Sequence, residues 1–174
     1  MKFRLSLATA LILAAMLSAC AATPGRISQT TPVDEVDNKH GLALQGYDAV
    51  GYFSEGRPVE GDPAISYRWQ GADWQFASTE HRDKFAADPV RYAPQFGGYC
   101  AYAVSRGTTA DGDPKQWALV DGKLYVNNNE LAQTLWNQDR PGNIEAGVVN
   151  WPLIPKRPVA QPVGATDGSR GTGQ

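Results

Sequence analysis

Cysteine is almost missing from this chain, with two in 174 residues, at positions 20 and 100. That count excludes a framework of several disulfides and a zinc site built on three or four thiolates, each of which needs more sulfur than is present. Histidine is as scarce, at His40 and His81 only. No Cys-x-x-C, His-Glu-x-x-His, Gly-x-Ser-x-Gly or phosphate-loop pattern occurs. A cysteine-protease dyad would need Cys100 beside His81 or His40, and nothing in the local sequence supports one. Asp111-Gly112-Asp113 begins like a calcium loop, but Pro114-Lys115-Gln116 stands where later ligands belong. Runs of like charge are lacking too: 16 Lys and Arg against 18 Asp and Glu give a formal net charge of −2. A mildly acidic chain without a basic stripe has no footprint for nucleic acid and no polybasic patch for an anionic bilayer.

One long apolar run is present. Lys2 and Arg4 precede Leu5 to Met16, a stretch too short to span a bilayer, which ends in Leu17-Ser18-Ala19-Cys20. That ending resembles the bacterial lipobox, in which the signal is cut just before a cysteine that is then acylated, for instance with palmitate. The resemblance implies a signal peptide at 1–19 and a mature lipoprotein beginning at Cys20. It would be lipid-anchored in the bacterial cell envelope and face the periplasm. Ala21 stands where inner-membrane lipoproteins usually carry aspartate, so the outer membrane is favoured. Loss of Lys2 and Arg4 takes the formal charge from −2 to −4. With Cys20 acylated, Cys100 is the only thiol of the mature chain. An unpaired thiol in an oxidising compartment is either buried and inert or kept for chemistry.

Residues 20–38 are polar, carry Pro24, Gly25 and Pro32, and read as a flexible tether. Residues 156–174 are low in apolar content and read as a disordered tail. Between them, 39–155 is long enough for one core and is rich in Trp and Tyr, which read mostly as packing with their polar tips satisfied. Ile65–Trp69 and Trp74–Ala77 alternate bulky and polar residues around Gly71-Ala72-Asp73. Gln116–Val120 and Lys123–Val126 flank Asp121-Gly122, which suits a type I′ turn. Ser78 caps a helix over 79–87 with Glu80 in its first turn, and Pro89 ends it. Phe85 faces the core, with Ala77 or Ala86 as its neighbour. Asn128 or Asn129 caps a second helix over 130–137, with Leu131, Leu135 and Trp136 at helical spacing. The fold class expected is α+β, a single compact domain of antiparallel β-hairpins each followed by a short α-helix.

Trp74-Gln75-Phe76-Ala77-Ser78-Thr79-Glu80-His81-Arg82-Asp83-Lys84-Phe85-Ala86-Ala87-Asp88-Pro89-Val90-Arg91-Tyr92 resembles the YHS domain. The family carries an aromatic strand, a Ser-capped helix, then Phe, Asp-Pro and Tyr. Gly46-Tyr47-Asp48-Ala49-Val50-Gly51-Tyr52-Phe53, Gly97-Gly98-Tyr99-Cys100-Ala101-Tyr102, Asp121-Gly122-Lys123-Leu124-Tyr125, Pro141-Gly142-Asn143-Ile144 and Asn150-Trp151-Pro152 resemble its exported lipoprotein branch. The likeness runs from about His40 to Trp151. It implies a metal-handling module, with copper or another transition metal as cofactor. The classical module's cysteines fall at Gly51, Ala77 and His81, so its thiolate cluster is absent here. Cys100 lies in a segment that some members of the exported branch carry with selenocysteine, so the resemblance nominates that residue.

Three ligands are therefore candidates. Cys100 is the central one. His81, on the first turn of its helix, would offer an imidazole to copper, zinc or nickel. Asp48 would add a carboxylate to the same cleft, or else organise a turn. His40 reads as a surface loop residue. The function expected is metal binding through Cys100. The alternatives are thiol redox chemistry at Cys100, or an adaptor or structural role in which Cys100 is buried and an aromatic surface brings an envelope partner to the membrane.

Overall fold

The computed structural model describes residues 27–28 and 31–158. Two antiparallel hairpins form its sheets, and each is followed by a helix, as the expected α+β class requires. In the first hairpin β1 (Asp62–Trp69) pairs with β2 (Ala72–Phe76), with Trp69 opposite Ala72 and Arg68 opposite Asp73. Its turn is Gln70-Gly71, at φ 51° and 79°, rather than the expected Gly71-Ala72-Asp73. Ala72 and Asp73 already belong to the ladder, because a two-residue type I′ turn matches the strand twist. In the second hairpin β3 (Asp113–Val120) pairs with β4 (Lys123–Asn127). There Asp121 and Gly122, at φ 50° and 71°, form the turn as expected.

The helices follow from their caps. α1 (Gly51–Ser54) is a single turn ahead of β1. α2 (Thr79–Ala87) starts where the Ser78 hydroxyl accepts from the His81 N–H at 3.1 Å. Pro89 ends α2 but also opens α3 (Pro89–Tyr92), capped by Asp88; proline is tolerated at a first helical position because its missing N–H would be unpaired there anyway. α4 (Ala101–Ser105) rises from Cys100. α5 (Glu130–Gln138) is capped by the Asn129 side chain, which accepts from Ala132 N–H at 2.9 Å. α6 (Arg140–Asn150) runs through Pro141 and Gly142, again with proline in the first turn and Asp139 as cap.

Two apolar clusters divide the interior. In the first, Phe85 is fully buried among aromatic rings: Trp74 at 4.8 Å, Phe76 at 5.2 Å, Trp69 at 5.8 Å and Tyr67 at 6.2 Å between centroids. All four rings come from the inward face of the first hairpin. The second cluster gathers Phe96, Tyr99, Val104, Tyr125 and Trp136 beneath α4, α5 and α6. A Cβ at Gly147 would lie 2.6 Å from the Phe96 ring, so only glycine lets α6 pass this closely.

The chain enters the domain earlier than composition suggested. Val33 and Val36, assigned to the tether by sequence, are buried. Val33 bridges in parallel to Lys156, and the Arg157 N–H donates to the Val33 carbonyl at 2.7 Å. Arg157 also pairs with Asp34 at 2.9 Å. Both ends of the packed domain are thus tied together, and Lys156 and Arg157 belong to it rather than to the tail. The signal segment, Cys20 and the remaining tail lie outside the described residues.

Candidate functional site

Cys100 is set by the turn before it. Phe96, Gly97 and Gly98 all adopt left-handed φ, at 57°, 64° and 85°, and reverse the chain into α4. The Cys100 N–H donates to the Ala110 carbonyl at 2.8 Å. Its sulfur is the N-cap of α4 and accepts from Ala103 N–H at 3.5 Å. The thiol donates to Asn127 Oδ1 at 3.6 Å, and the residue is only 2% exposed. Asn127 is fully buried and bonded at both ends of its amide. Its Oδ1 also accepts from Tyr102 N–H at 2.9 Å, and its Nδ2 donates to Gln133 Oε1 at 2.7 Å. Gln133 in turn donates to the Trp117 carbonyl at 3.2 Å. The thiol sits in a buried polar network that it helps to complete, which is how unreactive structural cysteines are held.

Asp48 and His81 come together elsewhere. The Asp48 N–H donates to the Val59 carbonyl at 2.8 Å, which fixes the loop ahead of α1. Asp48 is fully buried, and each carboxylate oxygen accepts two bonds. Oδ1 takes Val50 N–H at 2.8 Å and Gly51 N–H at 3.3 Å, organising the start of α1. Oδ2 takes Ala77 N–H at 2.9 Å and stands 2.6 Å from His81 Nδ1. The far ring nitrogen, His81 Nε2, stands 3.2 Å from the Ser54 hydroxyl. One carboxylate therefore joins α1, the end of β2 and the first turn of α2.

Of the three expected ligands, the structure brings Asp48 and His81 together and leaves Cys100 apart. No group of three or more His, Cys, Asp or Glu side chains among the described residues is arranged to hold a metal ion. Asp48 does organise a turn, the other role open to it in the sequence. Ser54 was not legible as a site residue. The only signal was its place at the end of Gly51-Tyr52-Phe53-Ser54, and its neighbour His81 lies 27 residues away.

Other titratable groups are displaced by burial. Asp37 has its carboxyl pushed up to about 6 by desolvation, against the opposing bond from Gly112 N–H at 2.7 Å. Burial also holds the hydroxyls of Tyr52 and Tyr99 well above the ordinary tyrosine range. The Tyr52 hydroxyl donates to the Pro114 carbonyl at 2.9 Å, linking α1 to the second hairpin.

A groove of about 370 Å³ opens between α3 and α6, lined by Trp69, Val90, Ala93, Phe96, Val148 and Trp151, among others. Val90 is 74% exposed and Val148 is 58% exposed at its rim, with exposed Leu153 close by in sequence. No helix among the described residues is long and apolar enough to cross a membrane. No protein-family model, curated protein or solved structure matches this chain.

Proposed function

We propose that this is a lipid-anchored envelope protein whose YHS-like domain is a binding module that brings an apolar partner surface to the membrane. The observation that carries this reading is the groove between α3 and α6, where Val90 and Val148 present apolar surface to solvent. A concave patch floored by Trp69, Phe96 and Trp151 has the aromatic composition of protein interaction sites. The burial of Cys100 supports the same reading. A thiol 2% exposed and bonded to Asn127 favours a structural role over copper binding or redox chemistry at that sulfur. The lipobox resemblance supplies the anchor, and the several short motifs shared with the exported YHS branch supply the family expectation.

Site-specific photocrosslinking in cells tests it. A crosslinker at Val148 should trap a discrete partner, and one at exposed Leu131 on α5 should not. Equal trapping from both positions, or none from Val148, would count against the groove.

A further inference from the structure

Asp48, His81 and Ser54 are drawn from a loop, α2 and α1, and they meet in a line: carboxylate to Nδ1 at 2.6 Å, Nε2 to hydroxyl at 3.2 Å. We infer that Ser54 is an activated nucleophile for acyl transfer from carboxylic esters, with His81 as its general base and Asp48 as the positioning residue.

The partners of Asp48 fix the proton positions. Val50, Gly51 and Ala77 offer Asp48 only backbone N–H groups, which can do nothing but donate. With both oxygens accepting, Asp48 Oδ2 also accepts from His81, so the ring proton is on Nδ1. In the neutral ring Nε2 is then an acceptor, and it faces the Ser54 hydroxyl. That hydroxyl has a second acceptor within reach, the Val50 carbonyl at 3.1 Å, on the residue just ahead of α1. Rotation of the hydroxyl hydrogen about the Ser54 Cβ–Oγ bond selects between them. The same three roles recur on unrelated folds and are recognised by geometry rather than by sequence order.

Exposure fits the roles. Asp48 is fully buried, the His81 side chain is 13% exposed, and Ser54 is exposed. The relay therefore runs from the interior to a hydroxyl that an acyl donor can approach from solvent. Ser54 Oγ adds to the ester carbonyl carbon while its proton passes to His81 Nε2. The C–O bond to the alcohol breaks, and the departing alkoxide takes that proton. Water then adds to the acyl carbon, giving its proton to Nε2, and Ser54 recovers it as the acid leaves. The sum is ester plus water to acid plus alcohol, with no other reactant.

The test uses a fluorophosphonate probe on the folded protein, read by intact mass and peptide mapping. One label per chain at Ser54 is expected, with none at that peptide in Ser54→Ala. His81→Gln should slow labelling about 100-fold or more while keeping the near-ultraviolet circular dichroism of the wild type. A far-downfield proton from Nδ1–H should appear in the wild type and in Ser54→Ala, and vanish in His81→Gln. Should His81→Gln fail to fold, thiols in a Cys100→Ala background decide. Ser54→Cys should alkylate several-fold faster than Ser66→Cys, which sits exposed on β1. Absence of Ser54 labelling in folded wild type would overturn the inference. So would a labelling rate unchanged in folded His81→Gln, or equal alkylation of the two thiols.

Discussion

The Cys100 thiol and the Asn127 carboxamide meet inside the domain at 3.6 Å, and the same Asn127 oxygen holds the Tyr102 N–H at the start of α4. Cys100 and Asn127 together anchor α4 onto the last residue of β4. The sulfur is thus committed to holding one helix on one strand, and its chemistry is constrained by that burial.

A native-state thiol assay should therefore find Cys100 protected. Reaction with an aromatic disulfide reagent is expected to be slow in buffer and complete in denaturant. A Cu(I) competition titration of the domain should give the same curve for wild type and Cys100→Ser. Rapid native reaction, or stoichiometric copper that disappears in the variant, would restore the thiol to the centre of the function.

Replacing Asn127 by Ala strands the Tyr102 N–H and the buried Cys100 thiol at once. The expected loss is about 1–3 kcal/mol, the usual cost of an unsatisfied buried group. Chemical denaturation of Asn127→Ala against wild type measures it. Gln133→Ala should cost less, because it leaves the Asn127 oxygen and both of its donors in place.

Phe85 carries the larger packing term. It is fully buried against four aromatic rings from both strands of the first hairpin. Phe85→Ala opens a cavity that rigid rings cannot fill, and should cost about 3–5 kcal/mol in thermal or denaturant unfolding. A loss under about 1 kcal/mol would mean that the hairpin collapses onto α2, with a matching change in the Trp69 and Trp74 fluorescence.

The elements around Phe85 were legible in the sequence because their signals are local. Ser78, Glu80 and Pro89 delimit α2, and Asp121-Gly122 demands its turn. The partners of Phe85 were not legible, since they are set by strand packing rather than by helix spacing. α6 was hidden for a different reason: Pro141, Gly142 and Gly147 lower helix propensity, and packing on Phe96 overrides it. Val33 and Val36 are two apolar residues in a polar stretch, too few to mark a packed segment. Asp48 and His81 were expected to share a cleft with Cys100, but their direct pairing without the thiol was not legible. Their meeting depends on the Asp48 turn and the α2 cap lying side by side, and Ser54 enters only through that geometry.

Asp37 predicts a pH dependence with a definite sign. Burial raises its carboxyl from 3.8 to about 6, so the folded protein holds this proton more tightly than the unfolded chain. Between those values the native state binds more protons, and stability attributable to Asp37 falls as pH rises from about 4 to about 6. Above about 6 the contribution is flat. Asp37→Asn keeps an acceptor for Gly112 N–H and removes the titration. Wild type minus variant unfolding free energy, measured across pH 4 to 7, should therefore slope downward and then level. A level difference throughout would show that the Asp37 carboxyl titrates alike in the folded and unfolded chains.

Val90 and Val148 allow binding to be separated from folding. Both are exposed at the groove rim, so Val90→Glu and Val148→Glu bury no charge and leave no cavity. Each should change stability by no more than about 0.5 kcal/mol, the range of ordinary surface substitutions. Charge on an apolar rim nevertheless has to be desolvated when a partner closes over it, and that cost falls only on the complex. The double variant should keep the wild-type melting curve yet lose the crosslink formed from a neighbouring lining position such as Pro152. A fall in stability of several kcal/mol would instead place these valines in the folded core energetics. Retained crosslinking in the stable double variant would move the partner's footprint away from the groove.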